Sequence, residues 1–331
     1  MVGVVMYHAF APFGGVWDSI ADVSVYYWID KFWQSFFMEG FVFISGYVFG
    51  FQIKENGQIG KPFDTVAFIW KKFVRLIIPS ILFSILYLLI LKRPDGFEWH
   101  LLLDILNGEG HLWFLPMLFG CFIGCLALEK IPVSRKFKLA VVLLLAVIPL
   151  PEISLRINLS LHYLLFFYAG FLMQGNCSSL PDCLYSKRGV FTQAILFVLA
   201  LVGLTLIREH AIADIVRQGG LVQKVWGLFV QNILALIYSS LGVAALYSLA
   251  VLFVRKQVGR VSDRWISLSG NCFGVYIFQQ FILQYLYYHT NVFAPFSVYV
   301  MPWIGFVVAF SLSLLLSVLV RRMRWGRFLL G

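Results

Sequence analysis

Long stretches without a single charge, such as "LAVVLLLAVIPL" and "FVVAFSLSLLLSVLV", constrain this chain more than anything else in it. They are continuously apolar, whereas a membrane barrel strand alternates apolar and polar side chains. They therefore predict helices, which satisfy every backbone hydrogen bond within one segment. Composition agrees: 13% of residues are charged and 60% hydrophobic, with a mean hydropathy of +0.85. A soluble domain carries about a quarter charged residues. The predicted fold is all-α, a polytopic membrane helix bundle of about ten spans. No internal repeat, low-complexity segment or linker divides the 331 residues, so a single domain over 1–331 is expected.

The candidate spans are 1–12, 32–52, 73–91, 112–128, 138–150, 160–174, 190–207, 225–253, 266–288 and 298–320. The segments 138–150 and 160–174 are short, and suit tilted, re-entrant or bundle-buried helices. The segment 225–253 is long enough to tilt or to begin above the membrane. The first, "MVGVVMYHAF", stops soon after at Pro12 and Gly14-Gly15. As a helix to Phe13 it would rise about 20 Å, against roughly 30 Å of bilayer hydrocarbon.

The formal charge of +10 would point to nucleic acid in a soluble protein. Here the cations sort by membrane side. With the N-terminus in the cytoplasm, most fall on inner loops, among them Lys61, Lys71, Lys72, Arg75, Lys138, Lys187 and Arg260. Fewer, such as Lys92 and Arg93, fall on outer loops, where most Asp and Glu lie. Both termini are then expected in the cytoplasm, and nucleic-acid binding has no support. Cys121, Cys125, Cys177, Cys183 and Cys272 match no zinc spacing and read as apolar residues or free thiols, so no metal is expected.

Ionisable groups inside spans are costly and usually mark function. His8 lies toward the outer end of the first helix. It is either an interfacial histidine solvated by water and headgroups, or a general base, since imidazole titrates near neutral pH. Glu39 lies in "FFMEGFVFISGYVFGF", where Ser35, Glu39, Gly46 and Gly50 share one helix face. Small residues there let another helix approach, so the face is expected to be buried. Glu39 itself is either structural or functional. His111, in "GEGHLWFLPMLFG", either caps a helix start or joins His8 and Glu39 at one outward-facing cavity. Trp113 beside it fits an aromatic belt.

Lys72 and Arg75 stand three apart in "FIWKKFVRLIIP" and present two cations to one side, a geometry suited to phosphates. Basic residues also belong at cytoplasmic helix ends on topological grounds alone. In "SGNCFGVYIFQQFILQYLYYH" a polar stripe runs through Tyr276, Gln280, Gln284 and Tyr287. Interhelical hydrogen bonding is the common reason for such a stripe, and a substrate path is the other.

Five pieces in this order resemble the acyltransferase-3 family, integral membrane enzymes that O-acylate bacterial surface polysaccharides and related glycans. They are "VVMYHAF", "FFMEGFVFISGYVFGF", "WKKFVRLIIPSILF", "HLWFLPMLF" and "SGNCFGVYIFQQFI". The resemblance implies a ten-helix fold in the bacterial inner membrane and a cytoplasmic acyl-CoA donor, usually acetyl-CoA, as co-substrate. It implies a glycan hydroxyl as acceptor, with lipopolysaccharide O-antigen, capsule, exopolysaccharide and small molecules all open. His8 matches the family's essential histidine, and Lys72 with Arg75 its cytoplasmic basic pair. Three departures stand out. The family's arginine about ten residues before the histidine has no counterpart, Gln279 stands where histidine is frequent, and Lys72 replaces an arginine. The first implies that the sequence as given lacks its true N-terminus, so that the first helix is incomplete.

The expected chemistry is a membrane O-acyltransfer. His8 deprotonates the acceptor hydroxyl, Glu39 or His111 orients the imidazole, and Lys72 and Arg75 hold the coenzyme phosphates. Trp113, Tyr276 and Gln280 are expected to bind substrate. Direct transfer is simpler than an acyl-enzyme, because no serine or cysteine has a recognisable nucleophile setting. The alternatives are a transporter or flippase of a lipid-linked glycan, or an inactive fragment of the family. Inverted repeats, which would favour transport, are not visible.

Overall fold

The computed structural model describes residues 1–15, 19–58, 64–92, 99–176, 181–256, 263–293 and 295–330. Lys61, Arg93 and Arg260 among the sorted cations, and Cys177, lie outside the described residues. The helices are α1 (Val2–Phe10), α2 (Ser24–Gln34), α3 (Phe37–Gln58), α4 (Thr65–Tyr87), α5 (Trp99–Asn107), α6 (Phe114–Lys130) and α7 (Arg135–Val147). They continue with α8 (Ile157–Asn176), α9 (Lys187–Ile207), α10 (Ala213–Gln218), α11 (Leu221–Lys256), α12 (Asp263–Tyr288), α13 (Met301–Arg322) and α14 (Arg324–Leu330).

Among the described residues, 8 helical segments are long and apolar enough to cross a membrane, fewer than the ten expected. The polytopic all-α fold stands, and the two shortfalls have visible causes. One is the first segment, which runs only over Val2–Phe13. The other is 138–150, which forms α7. Ser134 caps its start by accepting from the Phe137 amide at 3.3 Å. It stops at Ile148, which is extended (ψ 127°) because it precedes Pro149. The segment expected at 160–174 is longer than its apolar core suggests, since α8 begins at Ile157. The segment expected at 32–52 is divided between α2 and α3, with the break at Ser35 and Phe36.

The chain forms two compact units. One comprises Met1–Gln34, Trp70–Phe119 and Arg260–Gly331, and the other Ser35–Ile69 and Gly120–Gly259.

In the first unit α1 packs on α2, α12 and α13. Its core joins Val5, Ala9, Phe10 and Phe13 to Tyr26, Val275, Leu283 and Ala309. Lipid tails are as apolar as leucine, so helices associate here through close packing and hydrogen bonds rather than through exclusion from water. Both are present. Phe10 meets Tyr26 and Trp303 edge-on, at 5.1 and 4.8 Å between ring centroids. The Tyr287 hydroxyl donates to the Ala9 carbonyl at 3.1 Å. On α13, Ser317 Oγ donates to Asn271 Oδ1 of α12 at 2.9 Å.

In the second unit α3 and α8 pack closely, and the glycines explain it. A Cβ on Gly46 would collide with the Phe167 carbonyl, and one on Gly170 with the Phe43 carbonyl. Each helix thus offers a glycine to the other's backbone. The expected burial of the Gly46 face is therefore observed. Phe49 gathers Phe68, Phe122, Phe167 and Phe171 around it at 5.0–5.9 Å. Lys138, which the sequence sorts to an inner loop, is buried and pairs with Glu129 at 3.0 Å. The same carboxylate oxygen accepts from the Tyr168 hydroxyl at 2.9 Å.

Candidate active site

In the first unit the short helix α1 buries His8 among polar groups from α12. Its Nδ1 hydrogen-bonds Gln280 Oε1, and Gln279 Nε2 lies 3.4 Å from the same nitrogen. Gln280 Oε1 can only accept and is the nearer partner, so Nδ1 carries the proton in that bond. The approach of Gln279 Nε2, itself a donor, is then a contact rather than a hydrogen bond. The lone pair of the neutral ring then sits on Nε2, the atom that would act as base.

His111 is delivered by a tight turn. After α5 the chain turns at Gly108, and a 3-10 turn over Gly110–Trp113 leads into α6. Gly108 and Gly110 have φ of +79° and +55°, conformations that a side chain disfavours. A Cβ on Gly108 would also run into the backbone of Leu112. The cap is Glu109, not His111: its side chain accepts from the Gly110 amide at 3.1 Å. Glu109 Oε1 further pairs with Lys92 at 2.8 Å, and its amide donates to Ser84 Oγ of α4 at 2.9 Å.

So held, His111 meets His8 edge-on, with ring centroids 6.0 Å apart and planes at 89°. His111 Nε2 donates to the Ile277 carbonyl at 3.1 Å, which leaves the lone pair on Nδ1. The Tyr276 hydroxyl donates to the His111 carbonyl, and the two rings lie 5.1 Å apart. Two buried acceptors at this site, His111 Nδ1 and Gln279 Oε1, have no hydrogen-bond partner among the described residues. A buried acceptor without a donor costs free energy, of order 1–3 kcal/mol. Both lie on residues that flank His8, and both suit a hydroxyl that donates.

Three of the four residues of the polar stripe on α12 are now accounted for. Tyr276 holds the His111 turn, Gln280 holds the His8 ring, and Tyr287 bonds the end of α1. Trp113 is half-buried and meets Phe114 at 6.3 Å. Lys72 and Arg75 stand in the first half of α4, half-buried and exposed respectively. Farther along the same helix Tyr87 lies 6.5 Å from the His111 ring. At 1.5 Å per residue, roughly 20 Å of α4 separates the basic pair from the histidines.

Glu39 belongs to the other unit. Ser239 Oγ of α11 donates to its Oε1 at 3.1 Å and also bonds the Ser35 carbonyl. Its Oε2 has no partner among the described residues. Of the three ionisable residues expected to converge, His8 and His111 come together within one unit.

Two residues escape the sequence reading. Gln279 registers there only as a departure from a family pattern, yet two adjacent amides in an apolar helix are themselves a signal. Asp30 of α2 is fully buried, and neither carboxylate oxygen has a partner among the described residues. In the sequence it reads as a loop acid, because the stretch before residue 32 is too polar to predict a span. Among the described residues no group of His, Cys, Asp and Glu is placed to hold a metal ion.

A multi-pass helical membrane protein with a buried histidine pair at a turn is the class that fold and site define. A family model described as an acyltransferase domain, that of the acyltransferase-3 family, matches residues 1–322, and the chain belongs to that family. No curated protein and no solved structure matches it.

Proposed function

We propose that this membrane acyltransferase moves an acyl group, acetyl by default, from acyl-CoA to a hydroxyl of a cell-surface polysaccharide or its lipid-linked precursor. The observation that carries the reading is the His8 ring. It is buried, paired with His111, and held through Nδ1 so that its lone pair is on Nε2. His8 takes the proton of the acceptor hydroxyl while its oxygen attacks the thioester carbonyl. The tetrahedral intermediate collapses to the new ester, and the coenzyme thiolate leaves and recovers the proton from His8. Of the two residues expected to orient the imidazole, His111 packs edge-on against it in the same unit, while Gln280 holds the ring through Nδ1. His111 Nδ1 and Gln279 Oε1 accept hydrogen bonds from acceptor hydroxyls. Trp113 contacts the acceptor, while Tyr276 and Gln280 hold the two histidines.

The coenzyme phosphates rest on Lys72 and Arg75. The roughly 20 Å of α4 between that pair and the histidines calls for an extended donor, consistent with a pantetheine arm. The distribution of Lys and Arg supports cytoplasmic termini and with them a cytoplasmic donor, and the family supports a bacterial inner membrane as the location.

The test is a mass spectrum of surface glycans from a deletion strain complemented with wild type or His8→Ala. Loss of one acyl mass in both the deletion and the His8→Ala strain is expected. An acyl mass restored by His8→Ala contradicts the role of the base. Loss of the whole glycan, rather than of its acyl group, in the deletion strain points to transport.

A further inference from the structure

The second unit contains a cavity of about 370 Å³ between α3, α8, α9 and α11, lined also by Leu184 and Tyr185 of a 3-10 turn over Asp182–Tyr185. Its size falls within the range of small-ligand pockets, ~300–1,000 Å³. Phe43, Phe166 and Met173 supply apolar wall. The polar wall residues Gln193 and Ser248 are turned on the protein itself. Ser248 Oγ donates to Gln193 Oε1 at 3.0 Å, and Gln193 Nε2 donates to the Leu184 carbonyl at 3.0 Å. With those two groups engaged and most of the remaining lining apolar, the cavity suits a hydrocarbon chain. Ser240 and Ala244, one turn apart on α11, line the cavity and are exposed, so the wall is low there.

One end of the cavity is basic. The Arg255 guanidinium lies 4.9 Å from the centroid of the Tyr185 ring, a wall residue. Its Nη1 pairs with Asp182 Oδ1 at 2.9 Å, but the side chains are 51% and 86% exposed. Exposed pairs of this kind are weak and exchange readily. Lys187 and Arg188, both exposed, follow closely on the turn that carries Leu184 and Tyr185. Three cations therefore belong to the elements that meet at this end of an apolar chamber.

We infer that the second unit binds an anionic phospholipid, one acyl chain filling the cavity and the phosphate lying on Arg255. The inference is independent of the acyl-transfer chemistry, since none of these residues belongs to the proposed active site. Arg255 presents several N–H donors in a planar fork, so a phosphate can share it with Asp182 or displace that exposed carboxylate.

The test uses the purified full chain, incubated with dioleoyl phosphatidylglycerol or with the matching phosphatidylcholine, and native mass spectrometry to count retained lipid. Wild type is expected to retain one phosphatidylglycerol, with a preference over phosphatidylcholine of roughly fivefold or more. Ala244→Trp, which plugs the low wall, should abolish retention while the melting temperature holds. Arg255→Gln should keep the lipid but bring the two lipids to near-equal retention. Equal retention of the two lipids by wild type, or none of either, overturns the inference, as does undiminished phosphatidylglycerol on Ala244→Trp. Should Ala244→Trp not fold, Arg255→Gln decides alone, and an unchanged preference contradicts the proposal.

Discussion

Two helix pairs, one in each unit, are joined by opposite means. In the second unit α3 and α8 meet through glycines, with Gly46 and Gly170 each seated on the other helix's carbonyl. In the first unit α1 and α12 meet through Gln280 and His8, and through Tyr287 and the Ala9 carbonyl. Where only association is needed, small residues suffice, because van der Waals packing holds helices together in lipid. Buried imidazoles and amides add little stability beyond that, since a bonded pair in a membrane contributes on the order of 1 kcal/mol. Beside that seam two buried acceptors, His111 Nδ1 and Gln279 Oε1, have no donor among the described residues. A polar seam kept at that cost points to chemistry, and a glycine seam to construction.

That contrast can be broken experimentally. The largest effect belongs to the glycine seam. Gly46→Val forces a branched side chain into the Phe167 carbonyl and should remove nearly all folded protein, read as the monodisperse fraction in size-exclusion chromatography. His8→Leu should pass the same assay close to wild type. A folded Gly46→Val protein would show that α3 and α8 can part without harm.

Next comes Gln280→Leu, which frees the His8 ring to turn. Activity should fall roughly tenfold to a hundredfold through kcat, with KM for acyl-CoA little changed, as for loss of a group that orients a general base. An unchanged kcat would reduce Gln280 to interhelical hydrogen bonding. Lys72→Ala combined with Arg75→Ala should act on the other parameter. KM for acyl-CoA is expected to rise about tenfold or more while kcat stays within a few fold, because phosphate contacts far from the reacting carbonyl bind uniformly. The smallest effect is Tyr287→Phe. It removes the bond to Ala9 and should lower stability by about 1 kcal/mol with activity intact, measured by thermal unfolding.

The class of fold was legible because long uncharged runs admit no other spanning structure than helices. Boundaries were misjudged where a local stop intervenes. Pro149 ends α7 by forcing Ile148 out of the helix, and a break at Ser35 makes α2 a helix of its own, which brings Asp30 into the interior unseen. His8, His111 and the stripe on α12 were each legible as polar groups in costly places. Their meeting was not, because which helices touch depends on packing that no spacing encodes. The tautomers of the two rings were equally hidden, since each is set by a partner distant in sequence: Gln280 for His8 and the Ile277 carbonyl for His111.

The most direct measurement follows label from isotopically marked acetyl-CoA into a glycan acceptor, using the purified protein in liposomes. Wild type and His8→Ala are compared, with acetyl-CoA binding measured on both. The account predicts label in the acceptor with wild type and a loss of about a hundredfold or more with His8→Ala, at unchanged acetyl-CoA affinity. Transfer by His8→Ala at the wild-type rate would contradict it, and would move the chemistry away from the histidine pair.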